Sequence, residues 1–319
     1  MAALTRLITL IRQECCRPVP PSIKALAEAL LARYGDSVKA ILFYGSCFRK
    51  GGDDEGIVDL YLLVDKYSHA YRSQFHAFLN QLLPPNVFYL EMPFEEAIIR
   101  AKYTVFSFKD FQQGTSRNWF HSYLWSRLAQ PMGIVYAADI QDTERIYAAM
   151  ANSVITFITR VLPSMPSLFT CRELWCKGLE LTYSSELRAE RQNKLVTLFD
   201  FAPQYYEQLT RIAMEMVPFS VAEQSEKKDS ETLYLARIPA RVQFANRIAW
   251  NVRRVQGKML SFLRLLKGMF TFDGGLDYIL WKIERHSGVT VQIDPRLKRI
   301  PLVGTGILFW RLYRRGAFR

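Results

Sequence analysis

The segment Phe43-Tyr44-Gly45-Ser46-Cys47-Phe48-Arg49-Lys50 closes an apolar run with a Gly-Ser pair, and after twelve intervening residues a second apolar run opens around Asp59. These residue types suit phosphate chemistry. A glycine in a tight turn lets backbone amides approach phosphate oxygens with no side chain in the way. Ser46 adds a hydroxyl donor, and Arg49 and Lys50 add positive charge. Asp59, at the start of its run, is placed to hold a Mg²⁺ that bridges nucleotide phosphates. A second metal carboxylate is needed, and two residues beyond Asp59 stands Tyr61. Asp65 shares a strand face with Asp59, but six strand residues span about 20 Å, so Asp65 is expected to end the strand and cap the next helix. Glu91 closes a strand expected to neighbour Asp59 and is the better candidate ligand. The acidic loop Asp53-Asp54-Glu55 is the alternative source.

These residues need a sheet to position them. Short β-branched and aromatic runs at 40–44, 57–64 and 87–91 read as strands. Residues 22–34 read as a helix, with Ile23, Leu26, Ala27 and Leu30 on one face, and 67–83 has helical spacing up to Pro84-Pro85. A small mixed sheet flanked by helices follows. Beyond Pro131 the pattern is mostly helical. Residues 162–169 read as a loop, and Thr170-x-x-Glu173 reads as a capping box that opens a helix running to about Tyr183. The polar run 223–232 reads as a mobile loop or domain joint, and 240–267 as a basic helix. The expected class is α+β, in three parts. Residues 1–135 form the phosphate-handling domain, 136–235 a mainly helical, winged-helix-like domain, and 236–319 a basic helical region with a membrane-binding tail.

A chain of 319 residues, half of them apolar and 23% charged, can bury a substantial core. Five cysteines without a Cys-x-x-Cys pair and four histidines without a partner pattern argue against zinc and for a reducing compartment. Leu4, Leu7, Ile8 and Ile11 fit an ordinary amphipathic helix rather than a presequence. The net charge of +12 is unevenly placed: from Arg237 onward there are 17 Lys or Arg against 4 Asp or Glu, leaving 25 basic and 26 acidic residues before it. An anionic partner docking on the C-terminal portion is the natural consequence. Arg296, Lys298, Arg299, Arg311, Arg314 and Arg315, with Trp310, suit an interfacial membrane tail; a nucleic-acid arm or a solvated tail is the alternative.

The Gly-Ser turn, the twelve-residue spacing and Asp59 resemble the nucleotidyltransferases of the DNA polymerase beta superfamily. Within it, the sequence resembles the mitochondrial translocator assembly and maintenance protein family, over about Tyr44 to Ile283. Tyr44-Gly45-Ser46 and Val58-Asp59-Leu60 resemble its core, in which an apolar residue also stands where an Asp-x-Asp pair would finish. Other segments similar to it are Ala101-Lys102-Tyr103, Asn118-Trp119-x-x-x-Tyr123-x-x-x-Arg127-Leu128-x-x-Pro131, Leu181-Thr182-Tyr183-Ser184-Ser185-Glu186-Leu187-Arg188 and Lys267-Gly268-Met269-Phe270-Thr271. The family's Trp-His pair falls on Ala70-Tyr71, its downstream His-Tyr-Ser element is absent, and the segment between Asp65 and Val87 is short. Those departures suggest a bacterial-type member.

The resemblance implies a phosphatidate cytidylyltransferase that converts CTP and phosphatidic acid to CDP-diacylglycerol and pyrophosphate with Mg²⁺. It implies catalytic roles for Asp59, Ser46 and Lys102. Nucleotide contacts are expected from Gly45, Ser46, Lys50, Tyr183, Arg188 and Lys194, and metal ligation from Asp59 and Glu91. The expected location is the surface of an anionic membrane, on the cytoplasmic face of a bacterial inner membrane or the matrix face of the mitochondrial one, with no nucleic-acid partner. The alternatives are a nucleotidyltransferase acting on RNA or a small molecule, and a non-catalytic membrane-associated assembly factor.

Overall fold

The structure, a computed structural model, describes residues 2–51, 56–186, 192–228 and 231–271. In chain order its elements begin α1 (Ala2–Cys15), α2 (Pro21–Tyr34), β1 (Val38–Tyr44), α3 (Gly45–Lys50), β2 (Val58–Val64), α4 (Tyr67–Ala70) and α5 (Gln74–Leu82). They continue with β3 (Asn86–Phe94), β4 (Ala97–Ser107), α6 (Phe108–Thr115), α7 (Tyr123–Leu128), β5 (Gly133–Ala137) and α8 (Ile140–Val161). Last come β6 (Leu168–Thr170), α9 (Cys171–Ser184), α10 (Gln192–Asp200), α11 (Pro203–Met214), β7 (Ser220–Lys228), β8 (Glu231–Arg237) and α12 (Ala240–Thr271). The class is α+β, with a mixed sheet as expected.

Five strands form that sheet in the order β3-β4-β2-β1-β5. The β2–β4 pair is parallel and the other pairs are antiparallel. Strand alternation sends Ile41, Phe43, Leu60, Leu62, Tyr103 and Val105 to one face, where they pack with Ile23, Leu26 and Leu30 of α2. The opposite face carries Leu42, Tyr61, Leu63 and Phe106 into a larger core with α1, α7, α8, α9 and α11. That second core runs unbroken from Leu7 to Trp250. The expected boundaries at 135 and 235 fall inside β5 and β8.

Two strand assignments correct the sequence reading. β4 was not foreseen, although 97–107 alternates small or apolar with polar residues. It inserts between β2 and β3, so the strand ending near Glu91 does not neighbour Asp59. Within the polar run expected as a loop or joint, residues 223–228 belong to β7 and 231–232 to β8, which pair with each other, and Leu233, Tyr234 and Leu235 of β8 also pair with β6. Tertiary pairing overrides the run's polar composition here. A smaller difference is that the helix expected over 67–83 is split into α4 and α5. Asp65 does not cap it by the usual bond; it accepts from the Lys66 amide at 2.6 Å and pairs with His69 at 2.6 Å.

The capping box is present: Thr170 Oγ1 accepts from the Glu173 amide at 3.2 Å, and Glu173 Oε2 accepts from the Thr170 amide at 2.8 Å. Because α9 carries Tyr183 toward the site, its start matters. Thr170→Ala should lower unfolding free energy by about 1 kcal/mol, read as a fall in urea midpoint at constant slope. An unchanged midpoint would show that the cap contributes nothing.

Candidate active site

β1 ends in Tyr44, and the chain turns at once into α3 through Gly45 at φ +87°. That left-handed conformation favours glycine. A second constraint acts at the same place, because a Cβ on Gly45 would lie 2.5 Å from Asp59 Oδ2. Asp59 reaches Gly45 because β1 and β2 pair with Tyr44 opposite Asp59. On the other side of β2, the parallel register sets Asp59 against Lys102 of β4. Both side chains share a face, and Lys102 Nζ binds Asp59 Oδ1 at 2.8 Å, with side-chain exposures of 28% and 22%. The pair is shielded from bulk water yet open to a ligand.

A cleft of about 140 Å³ opens above this row. Its wall includes Tyr44, Gly45, Ser46, Asp59 and Tyr183, all but Tyr44 expected site residues, and also Arg49, Arg127, Gln130, Leu195 and Leu198. Among the described residues lining it, Asp59 is the one carboxylate. Burial, with the Asp59 charge beside it, pushes the Tyr44 phenol up to about 12. Tyr44 stacks on Tyr61 with ring centroids 4.3 Å apart and planes 9° apart. Tyr61 is fully buried and its phenol is held well above its ordinary value, chiefly by burial. The position where a second carboxylate was sought is therefore dry aromatic packing, where an aspartate would be strongly penalised.

Glu91 is not brought to Asp59. It lies opposite Arg100 on β3, one strand beyond β4, and accepts from Tyr89 Oη at 2.5 Å and Arg100 Nε at 3.0 Å. Two strand spacings amount to ~10 Å, whereas two carboxylate oxygens on one Mg²⁺ are at most roughly 4 Å apart. Lys50 is exposed at the end of α3, and Arg49, not Lys50, faces the cleft. Arg188, the Lys194 side chain and the acidic loop Asp53–Glu55 lie outside the described residues.

Arg127 is the residue that sequence reasoning left without a role. It sits on α7 and makes a bidentate pair with Glu186, both bonds 2.6 Å and both side chains under 10% exposed. Burial alone would lower the Arg127 pKa, but the Glu186 charge and hydrogen bonds hold it well above the ordinary value. Its guanidinium also lies 4.1 Å from the Tyr123 ring centroid. The signal was present in Tyr123-x-x-x-Arg127, whose i, i+4 spacing stacks the two side chains on one helix face. His121, buried beside them, is lowered to about 4 by burial and by the Arg264 charge, and is neutral at pH 7.

A Mg²⁺ can be bound through one or two carboxylates with substrate phosphates and water completing its shell. Asp59 as the single wall carboxylate, with Ser46 and Arg49 close by, fits a metal held mainly by a bound triphosphate. It does not fit a metal caged by protein alone, and no group of three or more His, Cys, Asp or Glu side chains converges among the described residues.

The sequence matches no protein-family model and no curated protein. Among solved structures, a nucleotidyltransferase-like protein from Exiguobacterium sibiricum 255-15 is similar to this chain at 9% identity and a TM-score of 0.25, with 92% of each chain covered.

Arg127→Met strips Glu186 of two charge-assisted bonds inside the core. Unfolding free energy should fall by about 3–5 kcal/mol, and pairing the change with Glu186→Met should restore most of it. Chemical denaturation of the two variants measures this. A single variant as stable as the parent would mean the pair is not buried.

Proposed function

We propose that this chain is a Mg²⁺-dependent nucleotidyltransferase that transfers a cytidylyl group from CTP to phosphatidic acid, giving CDP-diacylglycerol and pyrophosphate. The observation that carries the transferase reading is the convergence of Gly45, Asp59 and Lys102 from three adjacent elements. A backbone turn stripped of side chain, a carboxylate and an ammonium stand together where β1 ends and β2 begins, on the sheet's inner strands. Cytidine as the base and phosphatidate as the acceptor rest on the resemblance of the segments around Lys102, Arg127 and Tyr183 to the translocator assembly and maintenance family.

In this reading the amides after Gly45 and the Ser46 hydroxyl donate to the triphosphate, and Arg49 and Arg127 balance its charge. Arg127 is kept in place by Glu186, so its ordering cost is met before substrate arrives. When bound, Mg²⁺ supplies charge neutralisation at the phosphates, with Asp59 as its protein ligand. Lys102 shares the Asp59 carboxylate and, in this reading, turns toward a phosphate once that carboxylate is engaged. Tyr183 and the apolar Leu195 and Leu198 form the wall available to the base. An oxygen of the phosphatidate phosphate attacks the α-phosphorus, and the bond to the pyrophosphate oxygen breaks. That oxygen is already anionic near neutral pH, so no general base is required, and no histidine lines the cleft among the described residues. Positioning and electrostatics then carry the rate.

The wild-type chain with radiolabelled CTP, phosphatidic acid and Mg²⁺ should move label into the organic phase. Asp59→Asn should abolish the transfer, while Glu91→Gln, remote from the row, should keep it within about twofold, as a surface change does. Full turnover by Asp59→Asn would remove the mechanism. Label that stays aqueous but becomes attached to RNA would favour an RNA-modifying enzyme instead.

A further inference from the structure

The long helix α12 is built inside out. Around the buried Trp250 its inward face is polar: Asn246 Nδ2 donates to Ser164 Oγ at 2.9 Å, and Arg253 Nε to the Phe120 carbonyl at 2.9 Å. Farther along, Arg264 Nε donates to the Pro84 carbonyl at 2.9 Å, and Lys267 Nζ to the Leu83 and Pro85 carbonyls at 2.5 and 2.7 Å. Between them Gly257 lets the helix lie directly on the Ser185 carbonyl, a contact that any Cβ would block. Arg264 also stacks on the Tyr123 ring, at 4.5 Å from its centroid.

The outward face is apolar. Phe244, Ile248, Val252, Val255, Met259 and Phe262 are each between 49% and 71% exposed. Their steps of four, four, three, four and three residues average the helical repeat, so the row follows one face for ~27 Å without drifting. Exposed Arg241, Arg247 and Lys258 stand on the same side of the helix, and α12 contains no Asp or Glu. A second exposed row, Phe75, Phe78 and Leu82 on α5, ends one residue before Leu83, where Lys267 pins α12. A solvated helix reverses this arrangement, with its apolar stripe inward and its charges outward.

We propose that the outward face of α12, with the α5 row, is the surface on which this protein lies at an anionic lipid bilayer. Charge selects this occupant. A second copy seated on the face would set arginines against arginines with no carboxylate on α12 to answer them, whereas anionic headgroups complement Arg241, Arg247 and Lys258 and the row enters the acyl boundary. The helix does not span: the described residues contain one helix apolar and long enough, Ile140–Ser164, and 78% of its apolar window is buried in the core. The proposal deepens the lipid-acceptor reading and rests on it for the choice of a bilayer. It also assigns the contact to α12 and α5 rather than to the basic tail near the C-terminus. Because Arg264 and Arg127 share the Tyr123 ring, the bilayer-facing helix and the nucleotide cleft are joined through one aromatic side chain.

The test is flotation of the full chain with vesicles of phosphatidylcholine, with and without phosphatidylglycerol, in the absence of nucleotide, so that it reads binding alone. Wild type should float with the anionic vesicles and lose binding as salt is raised. Val255→Gln/Met259→Gln/Phe262→Gln should cut the partition coefficient by about tenfold or more at unchanged melting temperature, since all three side chains are exposed. Arg241→Gln/Lys258→Gln should cost roughly fivefold per charge on anionic vesicles and nothing on neutral ones. Flotation of the triple variant equal to wild type would overturn the assignment and leave the tail as the contact. So would a wild-type dimer that the triple variant dissolves. Binding as stated without cytidylyl transfer would leave this surface standing and remove the transferase reading.

Discussion

Gly45 and Asp59 contend for the same few ångströms, and the site exists because one of them has no side chain. The carboxylate oxygen stands where a Cβ would be, the turn is held at a positive φ, and Lys102 grips the other oxygen. Each of these contacts depends on register. Tyr44 must face Asp59 across the antiparallel β1–β2 pair, and Asp59 must face Lys102 across the parallel β2–β4 pair. A slip of one residue in either pairing would send the carboxylate or the ammonium to the α2 side of the sheet. The apolar residues on both faces of β2 fix that register, so the packing of the sheet and the assembly of the site are one event.

The same constraint accounts for Tyr61. Two residues farther along β2 the strand has already entered the core, and Tyr61 is fully buried against Tyr44 and Phe106. A second carboxylate there would have to lose its hydration inside aromatic packing. The chain instead sets one carboxylate at the strand's start, where it is partly exposed, pairs it with Lys102, and lines the same cleft with Arg49 of α3 and Arg127 of α7.

The Gly45–Asp59 half of the site is legible in the sequence because it is local. A glycine at a strand end, a serine after it and an aspartate opening the next apolar run constrain one another over fifteen residues. Lys102 was legible only through its motif, and Glu91 was misread, for a common reason. Which strands are neighbours is a non-local fact, and nothing local around Ala101-Lys102-Tyr103 marks β4 as the strand that separates β3 from β2. Its alternation Ile99, Ala101, Tyr103, Val105 inward was available in the sequence. The β7–β8 hairpin was hidden for a different reason. Its polar residues belong to a sheet whose stabilising pairs, Leu168 with Leu235 and Thr170 with Leu233, come from β6, more than sixty residues earlier. Arg127 lay in a recognised signature, but its value depends on Glu186, which arrives from another helix. The basic character of 240–267 was legible as a helix, whereas its inverted polarity was not, because only the neighbouring carbonyls reveal which face is inside.

In the proposed reaction the Asp59–Lys102 row receives the phosphates of a nucleoside triphosphate. Isothermal titration of CTP and of CMP, with Mg²⁺, into wild type and Lys102→Met measures it directly. Lys102→Met should weaken CTP by about tenfold, the loss expected for one charge-assisted bond, and leave CMP nearly unchanged, because the lost contact is to the outer phosphates. Equal affinity of both proteins for CTP would contradict it.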